Sequence, residues 1–429
     1  MRRSFIRAAL TFATVAALLP TTAAAIPVFA RVYDKPCGTC HSVFPQLNPA
    51  GEDFRAHGFH GVRPAIGPLR VGNGIELPGI PPFAVYVGAG EDFTRERTPG
   101  EPSSTHARSN LAFLSLLAGG ELGPHLAFLM DYELLEAEPD SGVLEVNSVP
   151  EQAYLQAHAE KLGWLGNLRV GWFELPLGIS PRVHRLSATP YRTYTQSGCE
   201  LLGTAPEGIE CEDVPVPAES QIALEASGLH SATGFGWALG GTNGSNDRLD
   251  DRASRDLYLR LGEQLGFQKV GFFLQYSPDT YGNGPANRTL RFGPDVSLYT
   301  RRLRVLAQVL AGRESNPTAH STELWYAGGF VEGEYRVTAT ILGLVRGESL
   351  FSPRFDDTRA GGAMKARHAL WALTGGGQWL LLENLKLVAE VTYQEDREGV
   401  RDETTSEWFA TFRAVTAFWA FGHPFDVRR

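Results

Sequence analysis

Sixteen stretches of about ten residues, in which polar and apolar side chains alternate, recur along the chain from Phe83 onward. Such alternation places every second side chain on the same face of a strand. Each stretch has the length of a tilted strand that crosses a bilayer. The stretches are Phe83–Gly90, Leu111–Glu121, His125–Leu135, Ala153–Leu162, Leu168–Leu175, Gln221–Ser227, Phe235–Gly241, Asp256–Leu265, Lys269–Tyr276, Thr289–Tyr299, Leu303–Leu310, Glu323–Val331, Arg336–Val345, His368–Leu382, Lys386–Tyr393 and Glu407–Phe421.

The links between these stretches alternate in length. Long polar links such as Pro176–Ala218 follow short ones such as Gly163–Asn167 and Glu332–Tyr335, giving eight long and seven short. A soluble β-sandwich or propeller is not expected to sort its loops so regularly. We therefore predict a mainly β protein with an antiparallel outer-membrane barrel of about 16 strands over residues 82–421, and a tail at 422–429. An even strand number puts both chain ends on the short-turn, periplasmic side.

The first 25 residues have the pattern of a secretory signal peptide. Met1–Arg3 and Arg7 are basic, Ala9–Leu19 is apolar, and Ala23–Ala25 offers a cleavage site. No apolar run reaches the length of a transmembrane helix. The net charge of −9 argues against nucleic acid as a partner, because phosphate backbones are bound by basic patches.

Cys37-Gly38-Thr39-Cys40-His41 is the Cys-x-x-Cys-His pattern of covalent haem attachment. Both cysteines form thioethers to the porphyrin, and the adjacent histidine ligates the iron. Half of a zinc site would need a second ligand pair, and none follows. A redox dithiol would sit in a thioredoxin-like βαβ unit, which the surrounding sequence does not resemble. In an exported chain we predict one covalent haem c.

The haem motif belongs to a small N-terminal unit. Asn48 is placed to cap a short helix with Pro49 in its first position and Gly58 at its end. We predict an α-helical, monohaem cytochrome c-like domain at residues 26–69 and a Pro/Gly-rich linker at 70–81. About 40 residues are few for an independent core, so this unit should borrow its walls from the barrel.

The sequence around the haem motif resembles the fused monohaem cytochrome–porins of the bacterial outer membrane, which include outer-membrane iron oxidases. The resemblance implies that a short cytochrome plugs or caps a 16-stranded porin. Three places depart from the family pattern and bear on iron specificity: Ser42, Glu52-Asp53 and Val32-Tyr33-Asp34. The matching residues are Ile26-Pro27-Val28-Phe29-Ala30-Arg31, Cys37-x-x-Cys40-His41, Pro45-x-Leu47-Asn48, Gly51, Phe54-Arg55 and Gly58-Phe59.

His41 is the predicted proximal ligand of the haem iron. Candidates for the sixth ligand are His57 and His60, which are close in sequence, and His184 in the longest link. Each of the three has the alternative of being an ordinary surface or packed histidine. Met130 and Met364 are weaker candidates.

Cys199 and Cys211 lie in the longest predicted outer loop, where a disulfide is expected in an oxidising compartment rather than a metal site. The same loop, which contains Pro181–Arg185, either folds into the lumen or lies in solvent. Acidic residues of the outer loops are a candidate funnel for divalent cations, although outer loops are polar in any barrel. These residues are Glu136, Glu138, Asp140, Asp247, Asp250, Asp251, Asp356, Asp357, Glu395, Asp396, Asp402 and Glu403.

Three functions compete at this point. The first is an electron conduit that oxidises an extracellular reductant, Fe(II) above all, and passes electrons to a periplasmic c-type cytochrome or another soluble carrier. The second is a porin or transport channel whose haem plug gates or senses. The third is a haem peroxidase anchored in outer-membrane lipid. Hydrolase chemistry has no support, because the sequence shows no triad, phosphate loop or paired-carboxylate motif.

Overall fold

The computed structural model describes most of the chain after residue 27. The described residues are 28–60, 67–71, 75–79, 83–137, 144–145, 150–195, 197–198, 201, 214, 216–244, 255–278, 286–317, 323–357, 364–397 and 404–418.

Residues 28–60, which we call the lumen segment, contain little regular structure. Its elements are helix α1 (Val28–Tyr33), a 3-10 turn (Cys37–Thr39), strands β1 (His41–Val43) and β2 (Gln46–Leu47), and helix α2 (Pro49–Ala56). The Asn48 side chain accepts a hydrogen bond from the Gly51 amide at 3.0 Å, which confirms the predicted cap. The two helices have only six and eight residues, so a helical cytochrome domain over residues 26–69 stays a prediction.

The region predicted as a linker contains a small hairpin that the sequence did not indicate. Strands β3 (Leu69–Val71) and β4 (Ile75–Leu77) pair with each other, with Arg70 opposite Glu76. The flanking Pro and Gly residues are typical of chain breaks, and each strand has only three residues. The sequence pattern therefore predicted a linker rather than two strands.

Sixteen strands of the described residues close into an antiparallel barrel, in which the last strand pairs with the first. A two-residue strand, β8 (Leu144–Glu145), adds to the edge of β7 inside a long link and is not one of the sixteen. The predicted strand number is confirmed. The barrel strands are β5 (Phe83–Arg97), β6 (Ser104–Glu121), β7 (Leu126–Ala137), β9 (Gln152–Lys161), β10 (Trp164–Glu174), β11 (Ser220–His230), β12 (Phe235–Thr242), β13 (Asp256–Leu265), β14 (Gln268–Ser277), β15 (Thr289–Tyr299), β16 (Leu303–Glu314), β17 (Leu324–Arg336), β18 (Ile341–Asp357), β19 (Met364–Leu382), β20 (Leu385–Arg397) and β21 (Thr404–Phe418).

The links separate by length between the two ends of the barrel. Those at one end have two to four residues, and those at the other end have six to 45. We call these the short-turn end and the long-loop end. The predicted short link at Glu332–Tyr335 is wrong, because β17 continues to Arg336 and the turn lies at residues 337–340. Glu332 and Glu334 face the interior of the barrel with 0% and 3% exposure. Two charged residues so close together within a strand have the same sequence pattern as a polar turn, which explains the wrong prediction.

The barrel carries its polar side chains inside and its apolar ones outside. Arg346, Glu332 and Thr374 are buried in the interior, whereas Leu239 and Val345 are more than half exposed on the outer face. This is the distribution of a barrel surrounded by lipid. Tryptophans with 39–50% exposure lie near strand ends, as expected for interfacial girdles: Trp164, Trp325, Trp379 and Trp408. None of the helices within the described residues is long and apolar enough to cross a bilayer.

The described residues of the longest link, 175–195, 197–198, 201, 214 and 216–219, fold into the barrel, and we call them the inward loop. Ile179, Tyr191 and Tyr194 are fully buried and pack against apolar side chains of the inner wall. Glu390 on β20 accepts hydrogen bonds from the backbone amides of Ala188 and Thr189 at 3.0 and 3.2 Å. Of the two arrangements that the sequence left open, the structure has the one in which the loop occupies the lumen.

The lumen segment lies inside the barrel at the short-turn end. The Tyr33 hydroxyl donates to Glu121 Oε1 at 2.7 Å, and Glu121 is the last residue of β6 before a short turn. Gln46 Nε2 donates to Glu334 Oε1 at 2.7 Å, close to the short turn between β17 and β18 on another part of the wall. Side chains of the barrel wall therefore contact this small unit at more than one strand.

Candidate functional site

The haem-attachment motif forms a compact turn. Cys37 is buried, Cys40 is half-buried, and the Cys40 amide donates to the Cys37 carbonyl at 3.2 Å. The Asn48 side chain donates to the Thr39 carbonyl at 3.1 Å, and the Asn48 amide donates to the Cys40 carbonyl at 3.0 Å. Asn48 therefore both caps α2 and fixes this helix against the turn that presents the two thiols.

Gly51 allows α2 to approach the motif closely. A Cβ atom at this position would lie 2.1 Å from the carbonyl oxygen of Cys40, which is far inside contact distance. By contrast, a Cβ atom on Gly38 would meet no atom within 4 Å. The sequence pointed to Gly51 only through the family resemblance. Glycine is needed at position 51 because α2 lies so close to the Cys40 carbonyl.

His41 is held in a form that suits a metal ligand. Its Nδ1 donates to the Pro45 carbonyl at 3.2 Å, which leaves the lone pair of Nε2 available. Burial lowers the pKa of His41 to about 4, against a smaller opposing effect of hydrogen bonds from the imidazole to the Pro45 and Gln46 backbone. The imidazole is therefore neutral at physiological pH, and neutral imidazole is the form that coordinates iron.

A cavity of about 1220 Å³ joins the motif to the far end of the barrel. Cys37, Cys40 and His41 all line it. Its wall also includes Glu96 and His106, which lie near the long-loop ends of β5 and β6. Cofactor pockets are commonly ~300–1,000 Å³, so this cavity has room for a haem and for a passage beyond it.

The residues at the short-turn side of the cavity fit a covalently bound haem. They supply two free thiols for thioethers and a neutral imidazole for the iron. Phe29, Leu47 and Phe54 add apolar surface against which a porphyrin can pack. Within the described residues, no separate group of three or more His, Cys, Asp or Glu side chains has metal-binding geometry.

His184 is engaged elsewhere. The Ser180 amide donates to its Nδ1 at 2.8 Å, and its Nε2 donates to Glu52 Oε1 at 2.8 Å. Both contacts are satisfied by one neutral tautomer, and burial lowers the pKa of His184 to about 3. Glu52 is one of the residues that depart from the pattern of the cytochrome–porin family. Lys269 on β14 also contacts it, so this carboxylate has a cationic partner on the barrel wall.

The structure does not bring His57 or His60 to the cavity either. The two ring nitrogens of His60 contact the carbonyls of Gly58 and Gly123 at 2.6 and 2.7 Å, and His57 Nδ1 contacts the Asp53 carbonyl at 2.8 Å. None of the three histidine candidates is among the residues that line the cavity. A sixth ligand from this set stays a prediction.

Of the two methionine candidates, Met130 is not among the described residues that line the cavity. Leu129 and Asp131 line the cavity, so Met130 between them points to the opposite face of β7. Met364 begins β19, and its side chain lies outside the described part of the chain.

Most of the predicted acidic loop residues lie outside the described residues: Glu138, Asp140, Asp247, Asp250, Asp251, Asp402 and Glu403. Glu136, Asp356 and Asp357 are described in their backbone alone. Glu395 accepts from Trp371 Nε1 at 2.9 Å, and Asp396 pairs with His368 at 2.9 Å. Cys199 and Cys211 also lie outside the described residues, so their disulfide stays a prediction.

The cavity wall has acidic residues that the sequence analysis missed because they lie within strands. Examples are Asp92, Asp131 and Glu133, at inward-facing positions of β5 and β7. These three residues occupy polar positions of alternating stretches, and this pattern was the signal in the sequence that could have identified them. Basic side chains, including Arg108 and Arg413, share the same wall.

No family model and no curated protein matches the sequence. Among solved structures, a porin of Comamonas acidovorans described as anion-selective is similar over 78% of this chain and 99% of its own, with 11% identity and a TM-score of 0.53. The outer membrane channel DcaP of Acinetobacter baumannii is similar over 82% of this chain and 100% of its own, with 11% identity and a TM-score of 0.49. The first likeness shows that the barrel has a porin fold.

Proposed function

We propose that this chain is an electron conduit of the bacterial outer membrane. Cys37, Cys40 and His41 would hold one covalent haem in the barrel lumen, and this group would let electrons pass from an extracellular reductant, Fe(II) above all, to a periplasmic c-type cytochrome or another soluble carrier. A haem iron supplies reversible one-electron chemistry. The apolar band of an outer-membrane barrel is ~25 Å tall, and a redox centre in the lumen gives the electron a stopping place within it.

One observation carries this proposal: both thiols and the histidine of the motif line a cavity that extends to the long-loop end. A reductant that enters from that end can approach the motif without crossing lipid. The short-turn end, where the lumen segment contacts Glu121 and Glu334, is the side from which a soluble acceptor would approach.

The residues have distinct roles in this proposal. Cys37 and Cys40 would hold the haem through thioethers, and His41 would ligate the iron through Nε2. Asn48 and Gly51 position the motif turn against α2. Arg55 anchors α2 to the wall through Glu174, and its Nη1 lies 3.4 Å from Glu174 Oε1.

The second candidate is a channel whose haem-bearing plug gates or senses. The porin fold supports the channel part of this function more directly than it supports electron transfer. The inward loop and the continuous cavity with its mixed acidic and basic wall also suit a solute pathway. The two candidates differ in whether electrons must pass through the haem.

The deciding experiment encloses an electron acceptor in proteoliposomes and adds Fe(II) outside. The wild-type protein should reduce the enclosed acceptor. The Cys37→Ala/Cys40→Ala variant, which keeps the barrel, should not. His41→Ala should retain attached haem but transfer electrons at least about tenfold more slowly.

Equal acceptor reduction with and without attached haem would reject the conduit, since electrons would then have crossed with a diffusing solute. Parallel conductance measurements in planar bilayers examine the channel. A large solute flux that changes with the redox state of the haem would favour gating.

A further inference from the structure

Four aromatic rings form a continuous row that starts at the proximal histidine. The ring centroids of His41 and Phe44 are 5.1 Å apart, those of Phe44 and Tyr86 are 4.9 Å apart, and those of Tyr86 and Phe113 are 4.6 Å apart. All three separations are within the range of direct aromatic packing, which is about 4.5–7 Å. We call these four side chains the aromatic row.

The aromatic row leads from the lumen segment to the middle of the barrel wall. Tyr86 lies near the short-turn end of β5, and Phe113 lies near the midpoint of β6. Gly88 opposite Phe113 has no side chain to separate the rings, and a Cβ atom there would lie 2.5 Å from Phe113 Cε1. The sequence therefore leaves space for Phe113 to turn toward Tyr86.

The whole aromatic row is open to the cavity. His41, Phe44, Tyr86 and Phe113 all line it. Tyr86 has the carboxylates of Asp131 and Glu133 and the guanidinium groups of Arg185 and Arg413 as electrostatic neighbours, and all four side chains line the same cavity. A reductant that enters from the long-loop end would reach Phe113, near the midpoint of β6, before it reached Tyr86 near the short-turn end of β5.

We propose that the aromatic row is the path by which an electron enters from the lumen and reaches the iron ligated by His41. This inference rests on the proposed function and assigns a route within it. The donor would lose one electron, and a haem iron held by His41 would be reduced by that electron from the ferric to the ferrous state. The rings stay closed-shell throughout, because they provide electronic coupling for tunnelling. No proton moves.

The physical reason is that tunnelling is faster through packed atoms than through an equal width of solvent. Rings in contact give the electron short gaps between polarisable π systems, whereas the cavity beside them is open space. Phe44 and Tyr86 are therefore positioning and coupling residues for the transfer.

The test measures reduction of the covalently bound haem by Fe(II) alone in a stopped-flow instrument, with the full-length protein in detergent. Tyr86→Leu should slow this reduction by about tenfold or more. Tyr86→Phe should reduce at the wild-type rate, because it keeps the ring and loses only the hydroxyl. Phe409→Leu is the matched control, since Phe409 lines the same cavity but is outside the aromatic row.

Two further measurements separate the path from a packing role. The reduction potential and the absorption spectrum of the haem should be the same in Tyr86→Leu and wild type. Altered values would mean that Tyr86 acts by shaping the haem environment, which would overturn the proposal. Equal Fe(II) rates in Tyr86→Leu and wild type would overturn it as well.

The result also distinguishes this inference from the proposed function. Failure of the wild-type haem to accept electrons from Fe(II) or to pass them across a vesicle would defeat both. A working wild type with an unaffected Tyr86→Leu variant would defeat the aromatic row alone and leave the conduit intact.

Discussion

The barrel and the lumen segment are held by different forces. The barrel is a ring of backbone hydrogen bonds with no open edge, and each strand pairs with two neighbours along its length. The lumen segment has two short helices and a two-stranded ladder, and side-chain contacts such as Tyr33–Glu121 and Gln46–Glu334 fix it to the wall. The barrel should therefore fold without the segment, whereas the segment depends on its contacts with the barrel.

The largest expected effect comes from removing both thiols. Cys37→Ala/Cys40→Ala should abolish all covalent haem while the barrel stays folded, because the strand ladder does not involve the motif. Haem staining of denaturing gels measures the first outcome. The difference in migration between heated and unheated samples measures the second. An unfolded barrel in this variant would show that the two regions fold as one unit.

A smaller but still large effect is expected from Gly51→Ala. The added Cβ atom would lie 2.1 Å from the Cys40 carbonyl oxygen, so α2 must move away from the motif. Overpacking of this kind costs about 1–3 kcal/mol, which corresponds to a fall in haem loading on the order of tenfold. The ratio of haem to protein absorbance measures it.

Gly38→Ala is the matched control for this variant. It adds the same methyl group within the same motif, where nothing lies within 4 Å. Equal haem loading in Gly51→Ala and Gly38→Ala would contradict the close approach of α2.

Arg55→Met should loosen the lumen segment without affecting the barrel. It leaves the buried Glu174 carboxylate without its guanidinium partner, and breaking a buried pair costs about 3–5 kcal/mol. We expect the lower end of this range, because the Ser180 hydroxyl still donates to Glu174 at 2.8 Å. Faster protease cleavage of the segment in the purified protein measures the change.

Arg70→Met provides the comparison for an exposed pair. Arg70 contacts Glu76 at 3.1 Å with 82% of its side chain exposed, so its loss should have almost no effect on cleavage. The same cleavage rate in Arg55→Met and Arg70→Met would mean that Arg55 does not anchor the segment.

The smallest effect concerns Cys199 and Cys211. We expect both thiols to resist alkylation in oxidised cells and to react after reduction. Because closure of the strand ladder does not depend on them, reduction should leave barrel migration unchanged. Mass spectrometry of the peptides measures which of the two thiols is alkylated before and after reduction. Labelling of both thiols before reduction would refute the disulfide.

The sequence by itself determined the barrel, and it predicted the chemistry of the Cys-x-x-Cys-His motif. The alternation of polar and apolar residues sets which face of a strand meets lipid, so strand number and loop alternation followed from local pattern. Cys37, Cys40 and His41 were recognisable because haem attachment requires fixed spacing. The turn after β17 was misplaced because Glu332 and Glu334, which face the polar lumen, resemble loop residues.

Only the tertiary structure decided which side chains contact each other inside the lumen. Local pattern cannot place the inward loop or the lumen segment, because their partners lie far away in sequence: Gln46 contacts Glu334, and Glu52 contacts His184. It likewise could not show that His184 has both ring nitrogens engaged, or that Phe44 lies against Tyr86. Strand pairing follows from the alternation of polar and apolar residues, which repeats along the chain. Contacts within a closed barrel depend on which side chains the ring brings face to face.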